Sequence, residues 1–260
     1  MRSILVNADR KPGNEARIDT ALDIARRFNG HLSVLVDTPV TRYIAMDPMG
    51  GSYIISDALE EARKEDDEAA AKFEARMARD DVPFDILRSE DDPVSALANA
   101  ARLADLVILS RSSGLAGELA LASNTPVLAL SESKALEMPI RRACIAWDGS
   151  EQAAAALRAA VPLLDSCQMV KVISVIEKQG GFPATDALRY LSRHGIHAEY
   201  EEHERRGSTE ETLAIAVTQS HAELLVMGAY GKSRMREFLF GGVTAYFLDE
   251  GNAPALLLAH

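Results

Sequence analysis

HAELLVMGAYGKSRMREFLFGGVTAYFLDEGNAPALLLAH, residues 221–260, decides how the chain is read. Leu224 to Met227 is a short apolar run between Glu223 and Gly228, the mark of a buried strand. Ala255 to Ala259, behind Asn252 and Pro254, is a second. Directly after the first come Gly228, two residues, Gly231, nine residues, and the pair Gly241-Gly242. Glycines placed behind a buried strand let backbone N–H groups converge on one point, an anion cradle that needs no positive side chain. A short helical pattern from about Thr244 to Glu250 brings a helix N-terminus to the same point. The glycines alone also fit a plainer reading, a tight strand-to-helix turn followed by a Gly pair in a loop.

Working outward, the chain repeats itself. Ser3 to Ala8 is an apolar-rich strand that ends at Asp9, and Ala143 to Trp147 is one that ends at Asp148. A helical run follows each, over 14–28 and 151–164, and then a further strand, over 31–36 and 169–175. LADLVILS around Asp105 answers HAELLVMG around Glu223, and TPVLAL answers APALLLA, with Pro126 matching Pro254. The unit is roughly 125 to 140 residues long, and strands alternate with helices inside it, as in a mostly parallel sheet covered on both faces. The first copy continues with helix 53–79, strand 82–87, helix 93–102 and strands 105–109 and 126–130. The second continues with helix 183–194, strand 196–201, helix 209–220, strand 223–227, short helix 243–250 and strand 255–259. Asp92 and Ser208 are expected N-caps. The join falls in the polar stretch 131–142, which contains Pro139. Two apolar last strands are edge liabilities, so they are expected to pair or pack with each other across an internal two-fold, making the chain a pseudo-dimer.

The copies differ in two places. Asp9 to Asp105 spans 96 residues and Asp148 to Glu223 only 75, so the first copy carries an insertion, lying between Asp37 and Glu61. The charged helix behind it has too thin an apolar stripe for a coiled coil and reads as a solvated surface. The second difference is the cradle. Asp105 to Pro126 spans 21 residues against 31 from Glu223 to Pro254. Ser110 stands where Gly228 does and Ser113 where Gly231 does, so the first copy is expected to have lost what the second does.

Composition sets limits. Of 260 residues, 47% are apolar and 26% charged, with a formal net charge of -11. That acidity argues against binding the backbone of a nucleic acid, though not against a nucleotide held by backbone donors. No apolar run is long enough to span a membrane, and the start is too short for the hydrophobic region of a signal peptide. Cys144 and Cys167 read as free, buried thiols, and with them a cytoplasmic location is expected. The six histidines show no metal-ligand spacing. GAYGKS imitates the end of a P-loop, but two residues separate its glycines where four are needed. No catalytic triad, nucleophile elbow or Cys-His pair is present, so dedicated enzymatic turnover is not expected.

With these residues in place the chain resembles a tandem universal stress protein, strongly over 143–260 and more loosely over 1–130. Gly228, Gly231 and Gly241 match the spacing of that family's ATP-binding glycine motif, and Asp148-Gly149-Ser150 matches the end of its first strand. The resemblance implies an α/β fold of two domains, 1–135 and 136–260, each an open five-stranded, mostly parallel sheet flanked by helices. It implies an ATP-binding regulatory protein of stress adaptation, with nucleotide held by the second domain and the first domain structural. Asp148 would meet the adenosine end, Val172 and Ile173 would offer apolar surface or backbone groups to the purine, and Gly228, Gly231, Gly241 and Gly242 would present N–H groups to phosphates. Lys232 would screen phosphate charge. Mg²⁺ would be held mainly through the nucleotide. The family's hydroxyl after the third glycine is replaced by Gly242, and Thr244 or Ser233 would have to supply one instead. Each of these residues has a bland counterpart: Asp148 as a helix cap, Val172 and Ile173 as plain core, Lys232 as a solvated surface charge. The alternatives are a nucleotide-free structural or interaction protein and a slow ATP-hydrolysing enzyme. Association of two chains is a further expectation.

Overall fold

The computed structural model describes residues 1–8, 14–46, 52–132, 134–176, 182–230 and 242–260. In the first half the order is β1 (Ser3–Asn7), α1 (Asn14–Phe28), β2 (His31–Asp37), β3 (Ile44–Met46), β4 (Ser52–Ile54), α2 (Ser56–Met77), β5 (Phe84–Ser89), α3 (Pro93–Ala100), β6 (Leu106–Ser110), α4 (Ala116–Ala122) and β7 (Val127–Leu130). The second half has β8 (Arg142–Ala146), α5 (Glu151–Leu164), β9 (Met169–Ile176), α6 (Ala184–Arg193), β10 (Glu199–Glu204), α7 (Thr209–Gln219), β11 (Leu224–Gly228), α8 (Gly242–Asp249) and β12 (Ala255–Ala259).

The two expected five-stranded sheets are one. Ten strands run in the order β10-β9-β8-β11-β12-β7-β6-β1-β2-β5, the same order read outward from the middle in both directions. Every neighbouring pair is parallel except β7 and β12, which meet antiparallel with Leu257 opposite Leu128. The two apolar last strands hide each other's edges, as expected of them. Val127 to Leu130 and Leu256 to Leu258 are fully buried in the middle of the sheet.

Two apolar clusters cover the faces. One takes Ile18 and Leu22 of α1, Met77 of α2, Ala156 and Leu163 of α5 and Leu191 of α6. The other takes Leu97 of α3, Leu119 of α4, Leu213 of α7 and Phe247 of α8. The first two and last two helices of each half therefore lie on opposite faces, as right-handed crossovers on either side of a central strand require. The halves also meet outside the sheet. Arg27 at the end of α1 pairs with Asp165 beyond α5 at 2.6 Å and donates to Ser166, and the Leu136 N–H of the connection donates to Thr20 Oγ1 at 2.9 Å.

The caps form where expected: Asp92 accepts from Ser95 N–H at 3.3 Å, and Ser208 from Glu211 N–H at 3.2 Å in a reciprocal capping box. An acid ahead of the fourth strand of each half ties down the start of its first strand. Asp105 accepts from the N–H of Arg2 and Ser3, and Glu223 from those of Arg141 and Arg142. That explains why the repeat was legible around these two acids.

Four elements depart from expectation, one of them the strand placed at 82–87, which lies at Phe84–Ser89. The insertion holds a hairpin, β3 against β4, before α2 begins at Ser56, and it leaves Ile44, Tyr53, Ile54 and Ile55 exposed. A helix, α4, stands in the short segment after Ser110, where none was expected. The strand placed at 196–201 lies at 199–204, because Ile196 is a buried anchor before it and the strand itself, EYEEHE, is a polar sheet edge. The two cysteines are free, and burial pushes their thiols up, Cys144 to about 11 and Cys167 to about 12. Among the described residues no helix is long and apolar enough to cross a membrane.

Candidate functional site

In the second half the chain leaves β8 toward β9 on one side and returns to β11 on the other. Between the C-terminal ends of β8 and β11 lies the switch point, where open α/β sheets leave a crevice for ligands. Asp148 and Gly228 stand at its two rims.

Asp148 is exposed and accepts from Ser150 N–H at 3.0 Å. Gly149 between them has φ +72°, the left-handed conformation that a glycine adopts without strain. Ser150 in turn caps α5, accepting from Ala153 N–H at 3.1 Å. The carboxylate is thus fixed beside the first turn of a helix, with its local turn closed beneath it.

Gly228 has a steric requirement. A Cβ there would lie 2.6 Å from Ala153 N and 2.7 Å from the Gln152 carbonyl carbon. No side chain fits, so the end of β11 presses directly on the positive end of α5. From Gly228 the chain passes Ala229, whose N–H donates to Ala259 O at 2.7 Å, to Tyr230 at φ +58°. Gly231, Lys232, Ser233 and Gly241 lie outside the described residues. The chain re-enters at Gly242, the first residue of α8. Thr244 is only 3% exposed and its Oγ1 accepts from Tyr230 N–H at 3.5 Å, so the two ends of the glycine segment are tied together there. Among the described residues a Cβ at Gly242 would meet nothing nearer than Glu210 Oε1, at 3.8 Å. The first turns of α5, α7 and α8 therefore gather at this edge, a setting that favours an anion. Within it Glu210, in the first turn of α7, adds one carboxylate.

Val172 and Ile173 are fully buried, one in each face cluster, and the Ile173 carbonyl accepts from Trp147 N–H at 2.8 Å. Their side chains belong to the core. Trp147, also core, donates its indole N–H to Phe182 O at 3.0 Å.

The first half closes the corresponding place. Ser110 occupies the position of Gly228, and the fully buried Arg17 of α1 donates to its Oγ at 2.5 Å and to Asn14 Oδ1 at 3.2 Å. Ser113 Oγ donates to Ser110 O at 2.6 Å and accepts from Leu115 N–H, so this segment is folded on its own backbone.

Sequence reasoning missed Tyr230, Glu210 and Arg111. Arg111 is 8% exposed and donates to carbonyls at the end of α8 in the other half. Glu210 was visible only as one acid in STEE, with nothing local to point it at Gly242.

The model of the universal stress protein family matches residues 1–130 and 139–258. Among solved structures, a universal stress protein from Archaeoglobus fulgidus DSM 4304 is similar with a TM-score of 0.76 at 14% identity, over 99% of this chain and 96% of that one. A functionally unknown protein from Pseudomonas aeruginosa PAO1 is similar with a TM-score of 0.59 at 17% identity, over 100% and 92%. A universal stress protein in complex with cAMP matches 47% of this chain and 98% of its own, at 19% identity and a TM-score of 0.37. No curated protein matches the sequence significantly. At these identities the structural likeness speaks for the fold alone. The family model, matched in two successive stretches that together take in nearly all residues, makes this chain a member of the universal stress protein family with two of its domains in tandem.

Proposed function

We propose that the second half binds an adenine nucleotide, ATP with its Mg²⁺, and that the protein serves stress adaptation as an ATP-responsive regulator in the cytoplasm. The observation that carries this reading is Gly228, held without room for a side chain against the first turn of α5 and facing Asp148 across the switch point. Phosphates would be received by backbone N–H groups of the glycine segment and by the N-terminus of α8, and Asp148 would meet the ribose end. Mg²⁺ is brought by the phosphates and held chiefly by them and by water. The first half, with Ser110 and Arg17 in the matching place, is read as structural, so one nucleotide per chain is the upper limit.

Gly242→Ser tests the reading. No described residue crowds a Cβ at Gly242, and the added hydroxyl can donate to a phosphate oxygen. Calorimetric titration with MgATP should show one site per chain, tightened up to roughly tenfold by Gly242→Ser and weakened at least about tenfold by Gly231→Val. Thermal melting without nucleotide checks that both variants stay folded. If the wild-type chain binds no MgATP at millimolar concentration and Gly242→Ser creates no binding, the reading fails.

A second reading, a nucleotide-free interaction protein, is favoured by Glu210, whose carboxylate stands beside Gly242, and by the exposed Ile44, Tyr53, Ile54 and Ile55 of the insertion. Slow hydrolysis of a bound ATP would need a group that positions water, and none is identified among the described residues.

A further inference from the structure

Two residues of the first half meet the second, one at Tyr230, where the glycine segment begins, and one at the C-terminal end of α8, the helix that follows it. At the entry, the Tyr230 ring crosses to α4. Its hydroxyl is buried, has no hydrogen-bond partner among the described residues, and lies over Gly117, where a Cβ would be 2.2 Å from Oη and 3.4 Å from Cζ. Gly117 is small because Tyr230 sits on it. At the C-terminal end of α8, the Arg111 guanidinium donates from Nη1 to Phe247 O at 3.3 Å and Glu250 O at 2.8 Å. From Nη2 it donates to Gly251 O at 3.4 Å and Ala253 O at 3.1 Å. One buried cation thus takes up the loose carbonyls at the negative end of α8, an arrangement the planar fork of arginine can make and a lysine ammonium cannot. Thr244, one turn into α8, is tied to Tyr230 N–H. Tyr230 and the C-terminal end of α8 are therefore each held by a residue more than 110 positions away in the chain.

We propose that the first half is the positioning partner of Tyr230 and α8 in the second: Gly117 and Arg111 set the geometry of these two elements and through them the affinity for nucleotide. This rests on the nucleotide reading above, and it gives the half without a cradle of its own a part in binding.

The test is a double-mutant cycle with a ligand-free readout beside it. Gly117→Ala drives a methyl into the Tyr230 hydroxyl, and Tyr230→Phe removes that hydroxyl while leaving the ring at ordinary contact distance. Gly117→Ala should weaken MgATP binding about tenfold when residue 230 is tyrosine and less than about threefold when it is phenylalanine. In nucleotide-free protein, amide hydrogen exchange across 242–250 should speed up about tenfold in Gly117→Ala and in Arg111→Lys, and return toward wild type in the Gly117→Ala/Tyr230→Phe chain. Equal losses of affinity in both backgrounds, or exchange across 242–250 unchanged in Gly117→Ala and Arg111→Lys, overturns the proposal. A wild-type chain that binds no MgATP but shows the exchange pattern overturns the nucleotide reading and the claim on affinity together, while the hold on α8 stands.

Discussion

Glu210 puts a negative charge beside the start of α8, the end at which a phosphate would arrive. The same carboxylate is favourable to α8 itself, since an acid near a helix N-terminus stabilises it. Its two roles pull in opposite directions, and Glu210→Gln separates them. In low salt, MgATP affinity should rise about two- to fivefold, with the gain shrinking as ionic strength is raised. Calorimetry at two salt concentrations reads this, and a loss of affinity would mean that Glu210 helps hold the metal instead. Ahead of β6, Asp105 has a purely structural task. Its partial burial pushes the carboxyl up, but the N–H groups of Arg2 and Ser3 and the terminal ammonium outweigh that and hold it below the ordinary carboxylate range. A depressed value means stability that is present above the ordinary value of about 3.9 and lost as pH falls through the depressed one. Asp105→Asn should therefore lower stability at pH 7 by on the order of 1 kcal/mol, a small figure because the carboxylate is half exposed and screened. The gap between the two melting curves should close as pH falls below about 4; a gap that persists at pH 2 would assign the effect to something other than the charge.

At the level of elements, apolar runs and caps told most of the story. Buried central strands such as Leu106–Ser110 and Leu224–Gly228 announce themselves because both faces are covered and every position is apolar or small. Helices α1 and α5 were legible to the residue, since their apolar spacing is regular and α5 begins behind a Ser cap. Edge strands carry no such signal. In β10 the side chains are Glu, Tyr and His, so the nearby apolar Ile196 drew the expected strand three residues early. The acidic edge has its own physical sense, because like charges along an open strand resist pairing with another chain. The helix α4 is seven residues long, too short for periodicity to register. Of the site, Asp148 and Gly228 could be read from local pattern, an acid at a strand end and a spaced glycine directly behind a buried strand; the close approach of Gly228 to α5, about 75 residues earlier, could not. Tyr230, Glu210 and Arg111 could not, because what they do depends on which helix the fold brings opposite them.

For the whole molecule, the joint between β7 and β12 decides cooperativity. Leu128 and Leu257 face each other there in full burial, and neither half can open without exposing the other's edge. The chain should unfold in one calorimetric transition, with calorimetric and van't Hoff enthalpies in agreement. Leu257→Ala should lower its stability by about 2–5 kcal/mol while keeping one transition. Two resolved transitions in the wild-type chain would contradict this account.

The contact of Arg111 with the end of α8 has a further meaning in terms of symmetry. In a dimer of identical subunits every contact across a two-fold occurs twice, so any change improves or damages both copies at once. The counterpart of Arg111 in the second half is Ala229, a buried residue with no charge to offer, and among the described residues the contact occurs once. Joining two copies in one chain lifts the rule of pairs: the half that holds and the half that binds can change separately, each answering to its own task.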